Sequence, residues 1–149
     1  MTSGLSTKTA LLTILLSGAV VMQASAQVAV IAHKSAPQDT LKKSELRDFY
    51  TGDIKSWSNG ERVVVFDLKP KTESKTAFYK FLGRSATRMK SIWMKKMLSG
   101  EGKPPPAMKD ELEMLRRVRE TPGAVGFVPH DQITDDVKVL ILLGGENPS

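Results

Sequence analysis

Short apolar runs alternate with amphipathic segments along most of this chain. The runs are rich in aliphatic, often β-branched residues and are too short for buried helices, so they predict strands. The predicted strands are Val28–Ala32, Val63–Phe66, Ala124–Val128 and Val137–Leu143. In other segments apolar residues recur at helical spacing, which predicts amphipathic helices. The predicted helices are Glu45–Tyr50, Ser74–Leu82, Ser85–Leu98 and Met108–Val118. Strands separated by helices indicate an α/β domain in which a small sheet is flanked by helices.

Polar and small residues beside these segments predict where the helices begin and end. Ser44 is a suitable N-cap for the first helix, and Gly52 is placed to end it. Gly83 separates the second helix from the third, which Ser85 caps. The run Gly100–Pro106 holds consecutive prolines and therefore predicts a firm break in helical structure.

The first 26 residues have the parts of a secretory signal. Lys8 is their only charge, Ala10–Met22 is continuously apolar or small, and Ala24–Ala26 ends the segment with small residues. The apolar run is about 13 residues long, whereas a membrane-spanning helix needs roughly 20. An uncleaved anchor and a buried core helix are the competing interpretations, and the small-residue ending favours cleavage. The sequence therefore predicts a signal peptide over residues 1–26, one domain over residues 27–149 and no membrane span after cleavage.

Composition narrows the chemistry open to this domain. The chain has no cysteine, which excludes disulfides, thiol catalysis, cysteine-zinc sites and a lipid-modified cysteine. Its net charge is +6, but basic residues are scattered among acidic ones, and the most basic stretch, Arg88–Lys96, has the apolar spacing of a solvated helix. We therefore expect no nucleic-acid partner. His33 and His130 have no partner at metal-ligand spacing, and no nucleophile–base pair or cofactor loop is visible. We predict no metal, no cofactor and no catalytic residues, and so no enzyme.

The loop between the second strand and the second helix is the segment that could carry chemistry. A helix N-terminus presents unpaired backbone N–H groups and the positive end of the helix dipole, so an anion can bind there. In open α/β sheets, ligands also bind at the carboxyl ends of strands, where this loop lies. The candidate anion-binding residues supply hydroxyl groups and positive charge around that helix start. They are Lys69, Lys71, Thr72, Ser74, Lys75 and Thr76.

Other polar and aromatic residues have simpler expected roles. A simpler interpretation of the loop before the second helix is that Ser74 only caps this helix while the lysines lie in solvent, and the pattern leaves that interpretation open.

The carboxylates of a later helix are expected on its exposed, solvated face. They belong to Asp110, Glu111 and Glu113. Trp57 and Trp93 are expected to pack in the core or at its rim.

Three segments in a fixed order carry a family resemblance. They are Tyr50–Gly60 (YTGDIKSWSNG), Glu73–Thr76 (ESKT) followed by Phe78, and Thr121–Val128 (TPGAVGFV). Together they resemble the periplasmic phosphate-binding proteins of ABC transporters. In that family a serine-glycine-threonine tripeptide opens a helix at the position of the second segment and binds the phosphate oxygens. The resemblance implies a type 2 periplasmic-binding-protein-like fold.

The resemblance also implies a location, a ligand and partners. We expect an exported protein, located in the periplasm, that binds phosphate or another small oxyanion at a helix N-terminus. An ABC permease or another envelope protein is the partner that the resemblance implies.

This chain departs from the family pattern at two positions and in length. Lys75 stands where the family has the glycine that lets the backbone approach the anion. The family's anion-contacting arginine has no counterpart here other than Lys69 or Lys71, and lysine cannot form its bidentate fork. Family members have two lobes, and this chain resembles the second lobe with its hinge strands. Two functions are therefore open: an exported oxyanion-binding protein, and a ligand-free interaction or regulatory module of the cell envelope with the same fold.

Overall fold

The chain folds around two sheets of different size. The computed structural model describes Gly18, Ala19 and residues 27–144. Apart from Gly18 and Ala19, the predicted signal peptide and its cleavage site lie outside the described residues. The strands are β1 (Val28–Ala32), β2 (Val64–Val65), β3 (Asp67–Leu68), β4 (Ala107–Met108), β5 (Ala124–Pro129) and β6 (Lys138–Leu143). The α-helices are α1 (Lys43–Thr51), α2 (Glu73–Leu82), α3 (Ala86–Leu98) and α4 (Glu111–Glu120), and a 3₁₀ turn spans His130–Gln132.

The larger sheet has the strand order β2-β5-β1-β6. β1 pairs antiparallel with both β5 and β6, so that Val30 lies opposite Phe127 on one side and Ile141 on the other. β2 pairs parallel with β5, with Val64 opposite Ala124, and forms one edge of the sheet. The second sheet is the short parallel pair of β3 and β4. Every residue of β1 is buried, which explains its continuous apolar run: both faces of this strand are covered.

Aromatic rings hold α1 and α2 against the larger sheet. The ring of Phe78 on α2 stacks on Phe127 of β5, with centroids 4.1 Å apart, and meets Tyr50 of α1 edge-on at 4.7 Å. The buried Tyr50 hydroxyl donates to the carbonyl oxygen of Phe66, 2.8 Å away. Burial raises the pKa of Tyr50 well above its ordinary value, so this hydroxyl stays protonated. The packing therefore sets where α2 lies, and with it the predicted anion-binding segment.

Helix α4 approaches the sheet at a position where a side chain would not fit. A Cβ atom at Gly126 of β5 would lie 2.5 Å from Met114 Sδ and 2.8 Å from Val118 Cγ2. Met114 and Val118 are fully buried, so neither has open space to move into. The glycine thus allows the close approach of α4. From this position the first turn of α4 reaches α2 through a bond between Glu111 and Ser74.

The α/β fold class is confirmed, and β1, β5 and β6 lie where the apolar runs predict them. The predicted strand Val63–Phe66 is wrong in extent. The Val64 N–H donates to the carbonyl oxygen of Gly123, just before β5, and the Phe66 N–H to that of Val125 in β5. The Asp67 N–H instead donates to the carbonyl oxygen of Pro106 at 3.0 Å. The chain therefore changes partner after Phe66, and β3, which the apolar run does not predict, pairs with β4 in the second sheet.

Two predicted helix starts are also wrong. Ser44 is not a cap, because α1 begins at Lys43 and the Glu45 carboxylate accepts the backbone N–H that precedes the helix. Met108 lies in β4 despite its helical spacing, so α4 begins only at Glu111. Within the described residues, no helix combines the length and the apolar composition needed to span a membrane.

The tryptophans pack as expected. Trp57 is buried, and its Nε1 donates to the carbonyl oxygen of Gly123 at 3.0 Å. Trp93 is half-buried at the rim, where its Nε1 donates to the carbonyl oxygen of Tyr50 at 3.0 Å. Each indole nitrogen thus has a partner, and each ring is held in one orientation.

Candidate functional site

The first turn of α2 gathers hydroxyl groups at the predicted anion-binding segment. Thr72, not Ser74, is the N-cap, and its Oγ1 accepts the backbone N–H of Lys75 at 3.1 Å. The hydroxyl oxygens of Thr72 and Ser74 lie 2.7 Å apart, and Ser74 is 2% exposed. Among the described residues, the backbone N–H groups of Glu73 and Ser74 have no hydrogen-bond acceptor. The helix start therefore presents two unused donors beside two hydroxyls, at the positive end of the dipole.

The Ser74 hydroxyl already has a carboxylate partner. It donates to Oε1 of Glu111, the first residue of α4. The prediction that Glu111 lies on a solvated helix face is wrong, because the residue is half-buried against α2. A carboxylate in this position repels an external oxyanion and competes with it for the same donor.

The neighbouring carboxylates cap α4. Asp110 is exposed as expected, but its Oδ1 accepts the backbone N–H of Glu113 at 2.7 Å. The Glu113 carboxylate in turn accepts the backbone N–H of Lys109 at 2.7 Å. The first bond satisfies an N–H group that a helix start leaves without a partner, and the second ties down the residue before the cap. Asp110 is therefore exposed as predicted and caps the helix, whereas the prediction of an exposed position is wrong for the half-buried Glu113.

The ammonium group of Lys75 is held by strand β3. Its Nζ donates to the carbonyl oxygen of Leu68 and lies 3.6 Å from Asp67 Oδ2. The same carboxylate oxygen accepts the Tyr79 hydroxyl at 2.6 Å. Burial and this hydrogen bond raise the pKa of Tyr79 well above its ordinary value, so the phenol stays neutral and donates. Lys75 therefore neutralises a largely buried carboxylate, and its charge is shared with Asp67.

The remaining predicted residues lie around the same turn at the surface. Lys69, Lys71 and Thr76 are exposed. Neither Lys69 nor Lys71 forms an ion pair with any residue that the structure describes. The backbone N–H of Lys69 donates to the carbonyl oxygen of Met108 at 2.9 Å, which fixes the path of the loop. The structure thus brings Thr72 and Ser74 together and leaves the two lysine side chains in solvent beside them.

Glu111, Asp67 and Tyr79 are residues of this site that sequence reasoning did not assign. Ser74 and Glu111 are 37 positions apart, so no local pattern connects them. The spacing of Lys75 and Tyr79 is a usable signal, because residues four apart lie on one face of a helix. The acceptor that they share, Asp67, lies on another element and is visible only in the folded chain.

Comparison with known proteins identifies the fold. No family model and no curated protein matches this sequence. The chain is similar in structure to a protein from Clostridium perfringens described as a phosphate ABC transporter substrate-binding protein and solved with bound phosphate. The two share 20% sequence identity with a TM-score of 0.63, over 77% of this chain and 45% of that protein.

Two further solved structures agree with this result. An ABC-type phosphate transport receptor from Vibrio cholerae is similar at 17% identity and a TM-score of 0.62, over 78% of this chain and 47% of the receptor. PstS from Borrelia burgdorferi is similar at 11% identity and a TM-score of 0.56, over 77% of this chain and 47% of PstS. The chain therefore spans less than half the length of these proteins. At such identities the likeness is one of fold, and it confirms the predicted single lobe of a periplasmic-binding-protein-like fold.

Proposed function

We propose that this protein is an exported binding protein that holds a small oxyanion, with phosphate as the first candidate, at the start of α2. The observation that carries this proposal is the buried Ser74 hydroxyl beside two backbone N–H groups without acceptors in the described part of the chain. An oxyanion at this point receives hydrogen bonds from the N–H groups and is stabilised by the helix dipole. A periplasmic location after cleavage behind Ala26, and an ABC permease as partner, belong to the same proposal.

Each predicted residue has a role in the proposed site. The N–H groups of Glu73 and Ser74, together with the Ser74 hydroxyl, contact the anion. Thr72 donates to the Ser74 oxygen and keeps that hydroxyl oriented. Lys69 and Lys71 supply positive charge from the surface, which raises the local anion concentration.

Two more of the predicted residues act less directly. Thr76 adds a hydroxyl at the exposed side of the same turn. Lys75 keeps Asp67 neutralised, so that this carboxylate adds little repulsion to that of Glu111. In the proposed site Lys75 therefore reduces the negative electrostatic potential near the anion without contacting it, and Ser74 makes the contact.

We expect the affinity for phosphate to be weak. A one-sided site leaves much of the anion in water, and the Glu111 carboxylate opposes it from the protein side. A dissociation constant on the order of 1 mM, about −4 kcal/mol, is the expected result from calorimetry with protein expressed from its full coding sequence.

Replacing Glu111→Gln is expected to strengthen phosphate binding by about tenfold or more. The substitution removes the negative charge beside the Ser74 hydroxyl, which the anion needs as a donor. The amide that replaces the carboxylate can itself donate to an oxyanion. Calorimetric titration with phosphate and with sulfate measures the change. The matched control is Glu120→Gln at the far, exposed end of α4, which removes the same charge away from the site and should leave the affinity unchanged.

Adding Ser74→Ala to the Glu111→Gln variant is expected to reverse that gain by about tenfold or more. A hydrogen bond to a charged acceptor contributes about 1.5 to 3 kcal/mol, and the alanine removes this donor while Thr72 still caps the helix. Ser85→Ala in the same background is the control, because Ser85 is a hydroxyl cap of another helix. If the Ser74→Ala and Ser85→Ala variants bind phosphate with equal affinity in this background, the anion lies elsewhere.

A ligand-free interaction module is the second candidate function. One observation favours it: the Ser74 hydroxyl already bonds Glu111 and the Lys75 ammonium already pairs with Asp67, so these two side chains have partners within the folded chain. If neither the wild-type protein nor its Glu111→Gln variant releases or takes up heat with millimolar phosphate or sulfate, oxyanion binding is excluded. The retained fold would then serve contacts with another protein.

A further inference from the structure

A groove of about 770 Å³ lies along the edge of the larger sheet and is lined by none of the residues at the start of α2. One wall is the β2 edge at Val63–Val65, and the opposite wall is the proline run at Gly102–Pro106. Phe49 and Trp93 contribute apolar surface to it. Its volume lies in the range of sites that enclose a ligand of drug or short-peptide size.

The backbone of β2 has an unused donor and acceptor at this groove. The Val64 N–H donates to the carbonyl oxygen of Gly123, just before β5, at 3.1 Å, and the Phe66 N–H to that of Val125 in β5 at 3.0 Å. Because successive residues of a strand point their backbone groups to opposite sides, the N–H and C=O of Val65 point away from β5. Val65 lines the groove, and among the described residues its N–H has no acceptor. The sheet therefore offers one open pairing position here.

This open position is bounded at both ends. On one side the Val63 N–H donates to the carbonyl oxygen of Lys55 at 3.0 Å. On the other side the Asp67 N–H donates to the carbonyl oxygen of Pro106, also at 3.0 Å. A chain that enters the groove can thus pair with Val65 and its immediate neighbours, but it cannot extend the sheet along a whole edge. The geometry fits a short extended segment and excludes a long added strand.

The apolar surface of the groove is preformed. Trp93 is fixed by the hydrogen bond of its Nε1 to the carbonyl oxygen of Tyr50. Pro104, Pro105 and Pro106 have restricted backbones and no N–H groups, so these three residues contribute apolar contact and no competing donors. Binding to a wall that is already ordered avoids much of the entropy cost of association.

Charges at the rim are predominantly positive. Lys96 is paired with Asp53 at 2.8 Å, and the hydrogen bond from Lys96 lowers the pKa of that carboxyl group. Arg62 and Lys103 also line the groove, are exposed, and have no carboxylate partner within the part of the chain that the structure describes. Within the described lining the acidic residue is Glu101, and the basic residues outnumber it. An occupant with negative charge is therefore favoured.

We propose that this groove binds a short, extended, acidic segment of a partner protein by pairing with the β2 edge. The segment exchanges backbone hydrogen bonds with Val65, packs an apolar side chain against Trp93 and the prolines, and places carboxylates beside Arg62 and Lys103. Main-chain pairing supplies affinity in this mode, while the alternate side chains supply specificity. The groove shares no residue with the proposed oxyanion site, so this proposal stands or fails independently of phosphate binding.

Selection of peptides from a phage-displayed random library tests the proposal. The target is protein expressed from its full coding sequence, and the probe is the most enriched peptide, labelled for fluorescence anisotropy. We expect the enriched peptides to be acidic with interspersed apolar residues. The double variant Arg62→Glu/Lys103→Glu should bind the probe about tenfold or more weakly. The control is Lys80→Glu/Lys95→Glu, which changes net charge equally on exposed helix positions outside the groove and should bind as the wild type does.

Hydrogen exchange at one amide supplies a second readout that does not depend on the variants. The Val65 amide should exchange freely in the isolated protein and become protected when the peptide binds. Failure to enrich any peptide, or enrichment of peptides that bind the double variant as tightly as the wild type, overturns the proposal. Protection of the Val65 amide without peptide also overturns the proposal. If the protection is the same at all protein concentrations, the occupant is a segment of the same chain. If it occurs only at high protein concentration, the occupant is a second copy of the protein.

Discussion

We expect Gly123→Ala to lower the free energy of unfolding by about 3 to 5 kcal/mol, measured by urea denaturation of the full chain. Two effects combine to give this loss. The φ of Gly123 is +76°, a conformation that costs a residue with a side chain about 1 to 2 kcal/mol. In addition, a Cβ atom would lie 2.1 Å from the carbonyl oxygen of Arg62. That atom belongs to the backbone, so relief of the clash requires the chain itself to move.

The movement would break the contacts that place β2. The carbonyl oxygen of Gly123 accepts the N–H of Val64 at 3.1 Å and Nε1 of the buried Trp57 at 3.0 Å. Its own N–H donates to Ser35 Oγ at 3.1 Å. One residue therefore joins the edge strand, a core indole and the loop after β1. Displacing it removes several hydrogen bonds from a buried region at once.

Gly60→Ala is the matched control for this prediction. Gly60 has a similar φ of +84°, but no atom lies within 4 Å of the position its Cβ would take. Alanine there should cost only the conformational term, about 1 to 2 kcal/mol. If the two variants lose the same stability, the contact with Arg62 is not the reason for a glycine at position 123.

Phe78→Ala is expected to lower the free energy of unfolding by about 3 to 5 kcal/mol. Phe78 is fully buried, stacks on Phe127 and packs edge-on against Tyr50, so its removal leaves a cavity between α2 and the sheet. Rigid neighbours on both sides prevent the cavity from collapsing. Urea denaturation with Phe81→Ala as the control measures the effect, because Phe81 belongs to the same helix but is only half-buried.

Phe78 also links stability to the proposed site. It lies one turn after Ser74 on α2, so the ring that anchors the helix also sets the depth of its first turn. We expect the Phe81 variant to lose less than half of the stability lost by the Phe78 variant. Equal losses would mean that burial against Tyr50 and Phe127 does not hold α2 in place.

The anion-binding hypothesis illustrates how far local sequence reasoning reaches. The helix start, its hydroxyl groups and the nearby lysines follow from residues close together in the chain, and in the structure the hydroxyls of Thr72 and Ser74 are in contact. The pattern gives no indication of Glu111, which reaches the same hydroxyl from α4. Whether the Ser74 hydroxyl bonds an external anion or an internal carboxylate depends on how α2 and α4 pack. The positions of these helices along the chain do not specify that packing.

The apolar run at Val63–Phe66 shows the same limit for the sheet. Its β-branched residues predict extended structure correctly. Its end after Phe66, where Asp67 begins to pair with a second sheet, depends on partners supplied by β5 and by Pro106, which come much later in the chain. The groove is bounded at that point, since the Asp67 N–H bonds Pro106 and only Val65 is left open.

The amino-acid sequence by itself determined the α/β class, the strands β1, β5 and β6, and the glycines that end α1 and α2. These features rest on periodicity and on backbone preferences that act within a few residues. Only the tertiary structure decided the partner of Ser74, the ion pair of Lys75 and the open edge at Val65. Each of these is a contact between elements distant in sequence, and the free energy of such a contact depends on burial and geometry that arise only when the elements pack together.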